Sequence, residues 1–359
     1  MSDLFKNILT SSESLFSNPV ALDVDFTPPV IKFRENEQQY LATSIKPLFQ
    51  KRNGKNLIIR GPPGIGKTVA TQYVLEEVKK ETDDIECIYI NCWKKETPFK
   101  IITEICMHLK YSWVHNKSFD ELLKVVTTML NKKSVVLVLD EIDQLEDQSI
   151  LYTLLEELLR KSFFLITNDP EYGGELDQRI RSRLVPEVIE FNPYKSTEIE
   201  AILQERIKFA FVPNVWEKEA IEKIAEETTK AKDIRLGLFL LRTAGECAEN
   251  ASSRKITKLF AEQAIQKIPD FQRKKPEQLT ADARQILAVI KENTGKSSME
   301  IFEIYQKMPE AKSIRTFQRN LKELAEAKFI TMNDINKGFE TGRKTIIEIG
   351  NDHGLSSTQ

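Results

Sequence analysis

Residues 61–68 read Gly-Pro-Pro-Gly-Ile-Gly-Lys-Thr, and this glycine-rich loop decides the fold. An apolar strand pattern precedes the loop and a helical pattern follows it. Gly61, Gly64 and Gly66 let consecutive backbone N–H groups point at phosphate oxygens, and the helix adds the positive end of its dipole. In this context Lys67 supplies charge to the β- and γ-phosphates, and the Thr68 hydroxyl coordinates Mg²⁺. The loop predicts a binding site for ATP or ADP with Mg²⁺.

Polar side chains follow two later strand patterns. The apolar run at 135–139 delivers Asp140 and Glu141 at its carboxyl end, where parallel sheets bind ligands. We expect Asp140 to hold Mg²⁺ through water and Glu141 to polarise the water that attacks the γ-phosphate. Asn168 follows the run at 163–166, and its amide is expected to position that water. The alternative for Asn168 is a simple turn, because Asn-Asp-Pro is strong turn chemistry.

Four further residues are candidates for nucleotide chemistry outside the loop. Arg183 is predicted to reach the nucleotide of a neighbouring subunit, since a planar guanidinium suits the charge that develops on phosphate. Surface salt bridges are the alternative for Arg183. Arg235, in a predicted helix, is a candidate to reach the γ-phosphate of its own site, and a solvated side chain is the alternative. Tyr194 is a candidate for an aromatic wall beside the base, and Arg206 for another nucleotide contact.

Strand and helix patterns alternate through the first half of the chain, which predicts an α/β fold with a parallel sheet covered on both faces. The strand patterns lie at 56–59, 87–90, 135–139 and 163–166. The helical patterns lie at about 68–80, 98–109, 118–131 and 148–160, after an irregular leader at 1–35 and a helix carrying Leu41, Ile45 and Leu48.

The second half of the chain has a different pattern. Residues 196–268 contain helical patterns alone, and a charged break at 273–276 marks a linker. Three helical patterns and two strand patterns around a Gly-containing turn then predict a winged helix-turn-helix. The expected domains are a nucleotide-binding base with its leader at 1–194, an all-α lid at 195–270 and a winged helix at 271–359.

Composition narrows the functional classes. The chain has 359 residues, of which 41% are hydrophobic and 30% charged, as in a globular protein. Its 52 Lys and Arg nearly balance 54 Asp and Glu, so a basic surface has to be local. The four cysteines form no CxxC pair, which favours reduced thiols over a metal site. No signal peptide or membrane-spanning run is recognised, and we expect a cytoplasmic protein.

The third helical pattern of the last domain predicts a DNA-binding helix. Ser313 is a good N-cap, and the residues that follow separate into an apolar and a basic face. The apolar face is predicted to contain Ile314, Phe317, Leu321 and Leu324, and the DNA-facing side Arg315, Gln318, Arg319 and Lys322.

Charge supports the same interpretation. Residues 271–359 contain 15 Lys and Arg against 12 Asp and Glu, a formal charge of +3, while the preceding 270 residues carry −5. Arg343 and Lys344, at the turn between the two strands, are expected to reach phosphates or the minor groove. The alternative is a winged helix that binds protein partners.

Several motifs resemble one family of AAA+ ATPases, the archaeal initiators of the origin-recognition-complex/cell-division-control type. The similarity runs over most of the chain. It is carried by the segments 31–35, 139–145, 168–169, 176–184, 191–194, 202–206 and 242–249.

The resemblance implies an AAA+ base, a helical lid and a C-terminal winged helix. It implies ATP contacts at 65–69, which include Ile65 and Val69, and at Tyr194 and Arg206, with Arg235 as the lid sensor. It also implies binding of double-stranded origin DNA through the winged helix and through a helical insertion, here within 97–131. Slow, regulatory ATP hydrolysis, other initiator subunits and a replicative helicase are the further expectations.

The sequence departs from that family in three respects, one of which is an overall charge of −2, less basic than a dedicated DNA binder suggests. Ala231-Lys232-Asp233 stands where Gly-Asp is frequent, and the region 111–116 lacks the usual Pro-and-Gly turn. The sequence leaves two alternatives open. A STAND-type signalling ATPase also joins a nucleotide module to a winged helix, but it tends to carry Gly-x-Pro in the lid. A clamp-loader-like subunit would share the Ser182-Arg183 pair, although its C-terminus is a helical collar.

Overall fold

The computed structural model describes residues 14–272, 279–308, 311–327, 329–336 and 343–350. The chain divides into two compact units, Met1–Gln266 and Lys267–Gln359. Over the described ranges, no helix combines the length and apolar character needed to cross a membrane.

The first unit contains a five-stranded parallel sheet in the order β2-β3-β4-β1-β5. Its strands are β1 (Leu57–Arg60), β2 (Ile85–Asn91), β3 (Ser134–Asp140), β4 (Lys161–Thr167) and β5 (Glu187–Glu190). Seven helices of the described residues accompany it: α1 (Glu35–Phe49), α2 (Lys67–Glu81), α3 (Pro98–His108), α4 (Phe119–Leu130), α5 (Ser149–Glu157), α6 (Tyr172–Glu175) and α7 (Gln178–Leu184).

Both faces of the sheet are buried, which explains the continuous apolar strands. Along β3, Val135 and Leu137 enter the core shared with α3, α4 and α5, while Val136 and Val138 enter the core shared with α1 and α2. A strand of a covered parallel sheet has no solvent face and so needs no polar alternation. The predicted α/β arrangement is confirmed.

Two details differ from the sequence expectation. Helix α5 ends at Glu157 and β4 begins at Lys161, because Leu158 adopts an extended backbone and is buried. Strand β5 was not expected, since its sequence Glu-Val-Ile-Glu resembles a polar connection. It exists because Glu187 to Glu190 pair with β1 at the edge of the sheet.

The last part of the first unit, from residue 196 onward, is helical. It contains α8 (Ser196–Ala210), α9 (Lys218–Ala231), α10 (Ile234–Asn250) and α11 (Lys258–Gln266). The described leader, residues 14–34, is attached to these helices and includes a short 3-10 helix, Pro19–Leu22. The backbone N–H groups of Ser17 and Asn18 donate to the carbonyl of Ala210, and Arg242 donates to Pro19 and Asp23. The leader is therefore part of the folded unit.

The second unit has its own apolar core. Its elements are α12 (Ile268–Gln272), α13 (Ala281–Glu292), α14 (Ser298–Tyr305), α15 (Ile314–Glu326) and the antiparallel pair β6 (Ile330–Asn336) and β7 (Arg343–Ile349). Ser297 forms an isolated bridge to Ile346, so the segment before α14 lies beside the hairpin. The predicted linker at 273–276 and the tip of the turn at 337–342 lie outside the described residues.

Helix α15 begins as expected, with one exception on its apolar face. The Ser313 hydroxyl accepts a hydrogen bond from the N–H of Thr316 at 3.4 Å. Phe317, Leu321 and Leu324 are buried, but Ile314 is 40% exposed. Ile314 shares the apolar period of that face, but it lies in the first turn of α15, which extends past the core.

Candidate nucleotide site

A cleft of about 270 Å³ opens at the carboxyl ends of β1, β3 and β4 in the first unit. Three parts of the chain line it: the leader, the glycine loop with the strand ends, and helices α8 and α10. Ligands of parallel sheets bind at this edge. The cleft therefore lies where the sequence predicted a nucleotide.

The glycine loop needs its glycines for two separate reasons. Gly61, Gly64 and Gly66 have φ angles of 148°, 74° and 89°, a region that other residues rarely adopt. Space is also limiting, since a Cβ at Gly66 would lie 2.6 Å from the Tyr194 hydroxyl and one at Gly61 would overlap the Phe191 carbonyl. The loop is thus held against the wall of the cleft.

Lys67 is a buried cation at the floor of the phosphate loop. Its Nζ donates to the carbonyls of Gly61 and Pro62 at 2.6 and 2.8 Å and to Oδ1 of Asn168 at 2.8 Å. The pKa of Lys67 is lowered to about 8, mainly because burial disfavours the charged amine; Asp140 opposes this shift and Arg235 adds to it. The structure thus brings Asn168 to the phosphate loop.

Asp140 and Thr68 face each other across the cleft floor. The Thr68 hydroxyl donates to Oδ2 of Asp140 at 2.6 Å, and the Tyr89 hydroxyl donates to the same oxygen at 2.7 Å. Asp140 is almost fully buried. An alcohol and a carboxylate side by side form an oxygen donor set that fits Mg²⁺. Tyr89 was not predicted, because a tyrosine inside a strand is indistinguishable from core in the sequence.

Glu141 projects from a strained turn directly after β3. Its backbone is left-handed, with φ 53°, and its N–H donates to Oδ1 of Asp140 at 2.9 Å. Burial raises the pKa of Glu141, and the neighbouring carboxylates of Asp140 and Asp143 raise it further. A carboxylate whose affinity for a proton is increased suits a general base.

Arg34 joins the leader to the phosphate loop. Its Nε and Nη2 donate to the Ile65 carbonyl at 3.2 and 2.9 Å, and Nη2 also donates to Asn192 at 2.6 Å. The guanidinium lies 3.9 Å from the centre of the Tyr194 ring. Both Tyr194 and Val69 line the cleft. In the sequence Arg34 is part of the family motif at 31–35, and no separate role was predicted for it.

Arg206 lines the cleft, but its guanidinium donates hydrogen bonds to backbone carbonyls of the leader. Nη1 donates to the Ala21 carbonyl at 3.0 Å and Nη2 to Phe26 at 3.1 Å, with the group over the Phe26 ring. Only 7% of Arg206 is exposed, and burial lowers its pKa. Its contacts in this structure fix the leader at the mouth of the cleft.

Arg235 enters the cleft from the first turn of α10. Its Nη2 donates to Oδ2 of Asp233 at 2.7 Å, and that hydrogen bond raises the pKa of Arg235. The preceding Lys232 has φ 55°, a conformation in which glycine is usual. Lys232 thus adopts the backbone conformation of the glycine that is frequent in the family, and α10 with Arg235 begins directly after it.

Arg183 lies outside the cleft of its own chain. Its Nε pairs with Glu156 at 2.8 Å, and Nη2 donates to the Tyr152 hydroxyl at 3.0 Å. Both partners are on α5, and the guanidinium lies over the Tyr152 ring. The side chain is partly exposed there.

The second unit presents part of the predicted DNA-facing set. Gln318, Arg319 and Lys322 are exposed on α15, on the side opposite the buried Phe317 and Leu321. The side chains of Arg315, Arg343 and Lys344 lie outside what the structure describes.

The fold and this site define a class: an AAA+ nucleotide-binding module followed by an all-α lid, with a winged helix-turn-helix after it. Comparison of the sequence with known families agrees. Residues 50–168 match the AAA domain, and residues 200–266 match the Cdc6 AAA+ ATPase-type lid domain.

The relatives define the family more narrowly. ORC1-type DNA replication protein 2 of Methanothermobacter thermautotrophicus is 30% identical over 278 residues, 72% of each chain. The ORC1-type DNA replication protein of Pyrococcus abyssi is 32% identical over 287 residues, 74% of this chain and 68% of that one. The Aeropyrum pernix ORC1 protein, solved in complex with DNA, is 25% identical with a TM-score of 0.75 over 94% of both chains. The chain belongs to the family of ORC1-type DNA replication proteins.

Proposed function

We propose that the chain is a replication initiator that binds origin DNA through its winged helix and uses ATP as a conformational switch. The observation that carries the proposal is the hydrogen-bonded set of Lys67, Asn168, Thr68 and Asp140 in a cleft that base and lid share. A nucleotide in this cleft contacts both parts at once, so its presence changes how they are held together. The relatives do not favour the signalling and clamp-loader alternatives.

The nucleotide chemistry follows from the side chains. Lys67 faces the β- and γ-phosphates, and Tyr194 with the leader encloses the base. Thr68 and Asp140 would hold Mg²⁺, which when bound neutralises phosphate charge. Glu141 accepts the proton of the attacking water, while Asn168 holds that water on the γ-phosphate side.

Hydrolysis by one chain alone should be slow. Arg183 pairs with Glu156 and Tyr152 outside the cleft, so it cannot stabilise the transition state of its own nucleotide. An arginine that acts in trans contributes about 10³–10⁵-fold to the turnover of related nucleotide hydrolases. We therefore propose that Arg183 completes the site of a neighbouring subunit, and that an isolated chain holds ATP as a switch.

DNA binding rests on a different part of the molecule. Gln318, Arg319 and Lys322 are polar, exposed and on one side of a helix whose other side is core. This is the arrangement in which a recognition helix enters the major groove. In the base, Trp113 is 78% exposed in the loop between α3 and α4, within the predicted insertion. An exposed indole suits contact with DNA and we assign this loop to a second contact.

The nucleotide site is tested with Lys67→Ala. Loss of the cation that donates to the Gly61 and Pro62 carbonyls should abolish ATP binding in a calorimetric titration. Lys79→Ala, on the exposed part of the same helix, is the matched control and should bind like the wild type. Equal ATP affinity in Lys67→Ala and wild type would refute the site.

DNA binding is tested by titrating labelled duplexes at several salt concentrations with Arg319→Ala and Lys344→Ala. Loss of a bidentate arginine–guanine contact costs about 1–3 kcal/mol and relaxes the sequence preference. Loss of a phosphate contact weakens all sequences alike and reduces the salt slope by about one. Absence of duplex binding below about micromolar concentration at low salt would make the winged helix a protein-binding module.

A further inference from the structure

Asp233 stands where the lid touches the phosphate loop. It caps α10, because its carboxylate accepts the N–H of Arg235 at 2.9 Å. The N–H of Ile234 donates to the Gly64 carbonyl at 3.1 Å, so the first turn of α10 is bonded to the loop. The carboxylate lies against Gly64, where an added Cβ would overlap its Oδ1. A negative charge thus sits beside a loop built for anions.

The same carboxylate forms an ion pair with the guanidinium of Arg235. The arginine Nε lies 3.0 and 3.1 Å from the two oxygens of Asp233, and Nη2 lies 2.7 Å from Oδ2. Asp233 is mostly buried and Arg235 partly so, which limits screening of the pair by water. A γ-phosphate that recruits Arg235 has to replace these contacts.

We propose that Asp233 is a specificity-determining residue that sets the preference for ATP over ADP by holding Arg235 until a γ-phosphate replaces it. The proposal deepens the proposed function, since it requires a nucleotide in the cleft. ADP has no γ-phosphate and leaves the pair intact, so its affinity does not include the free energy of separating the pair. ATP affinity does include it. The negative charge of Asp233 beside Gly64 affects the affinity for ATP and for ADP alike, so it does not change their ratio.

The chain contains a matched copy of this arrangement outside the cleft. Asp177 caps α7, accepts the N–H of Arg179 at 2.8 Å and pairs with its Nε at 3.2 Å. The Asp-x-Arg spacing at a helix start therefore produces the local pair by itself. Contact of the carboxylate with Gly64 is what distinguishes Asp233.

The test is Asp233→Asn, which keeps a capping oxygen and removes the charge. Calorimetric titrations with ATPγS, a slowly hydrolysed analogue of ATP, and with ADP give two affinities. The quantity compared is the affinity for ATPγS divided by the affinity for ADP. Release of Arg235 should raise that ratio about fivefold, the factor expected for a partly screened ion pair. Asp177→Asn, the control, should leave the ratio unchanged.

The same substitution is then made in an Arg235→Ala background. If Asp233 acts through Arg235, Asp233→Asn no longer changes the ratio there. An unchanged or lower ratio in the single variant, or a rise that persists without Arg235, would overturn the proposal while nucleotide binding itself stands. Failure of the wild type to bind either nucleotide would instead overturn the nucleotide site and this inference with it.

Discussion

Replacement of Lys232 by glycine should stabilise the first unit. Lys232 is the single residue between α9 and the cap of α10, and its backbone has φ 55° and ψ 27°. A residue with a Cβ is disfavoured by about 1–2 kcal/mol in that conformation. Glycine removes this cost but loses about 0.5–1 kcal/mol more backbone entropy on folding. The side chain is exposed, so the net gain in the free energy of unfolding should be about 0.5–1 kcal/mol.

The assay is urea unfolding followed by tryptophan fluorescence. All three tryptophans, Trp93, Trp113 and Trp216, lie in the first unit, so the signal reports on that unit. Trp216 packs edge-on against Phe211 at 5.2 Å in the helical part that contains Lys232. With a slope near 2 kcal/mol per molar urea, the midpoint should rise by about 0.3–0.5 M.

The control is a lysine at which substitution by glycine should destabilise the first unit. Lys124 is exposed within α4, where glycine costs about 1 kcal/mol relative to a good helix former. Lys124→Gly should therefore lower the midpoint. A lower midpoint for Lys232→Gly as well would mean that the strain assigned to the left-handed backbone is absent, and the reasoning would fail.

Three other predictions concern the nucleotide. Glu141→Gln should bind ATP normally but hydrolyse it at least about 10²-fold more slowly in a phosphate-release assay, and unchanged turnover would exclude Glu141 as the base. Because the pKa of Lys67 is lowered to about 8 and phosphates favour the protonated amine, ATP affinity should fall about tenfold between pH 7 and pH 9; a flat calorimetric profile would contradict this. Arg183→Ala should keep the ATP affinity of the isolated chain and lose any acceleration of hydrolysis at high protein concentration; weaker binding by the monomer would place Arg183 in its own site.

Local sequence was sufficient for the phosphate loop and the strands that carry it. The conformations of Gly61, Gly64 and Gly66 depend on the backbone freedom of glycine, and β3 is apolar along its whole length because both faces are covered. Asp140 and Glu141 follow from the end of that strand. Such features are encoded within a few residues, which is why they could be predicted.

Features that depend on distant partners were missed. Strand β5 has too little apolar character to be recognised, and it forms because β1 supplies its hydrogen bonds. Ile314 fits the apolar period of α15 but is 40% exposed, because the period does not show where along the helix the core ends. Tyr89 has the appearance of a core residue until its hydroxyl meets Asp140.

The sequence by itself predicted a nucleotide site at residues 61–68 and indicated the family to which the chain belongs, since both rest on short contiguous motifs. Only the tertiary structure decided what the arginines do. Arg34 and Arg206 both join the leader to other parts of the cleft through hydrogen bonds to backbone carbonyls. Arg183 lies outside the cleft, and Arg235 is paired with Asp233 beside Gly64. A guanidinium at the end of a long side chain pairs with whatever acceptor the fold brings near, and the sequence does not specify that acceptor.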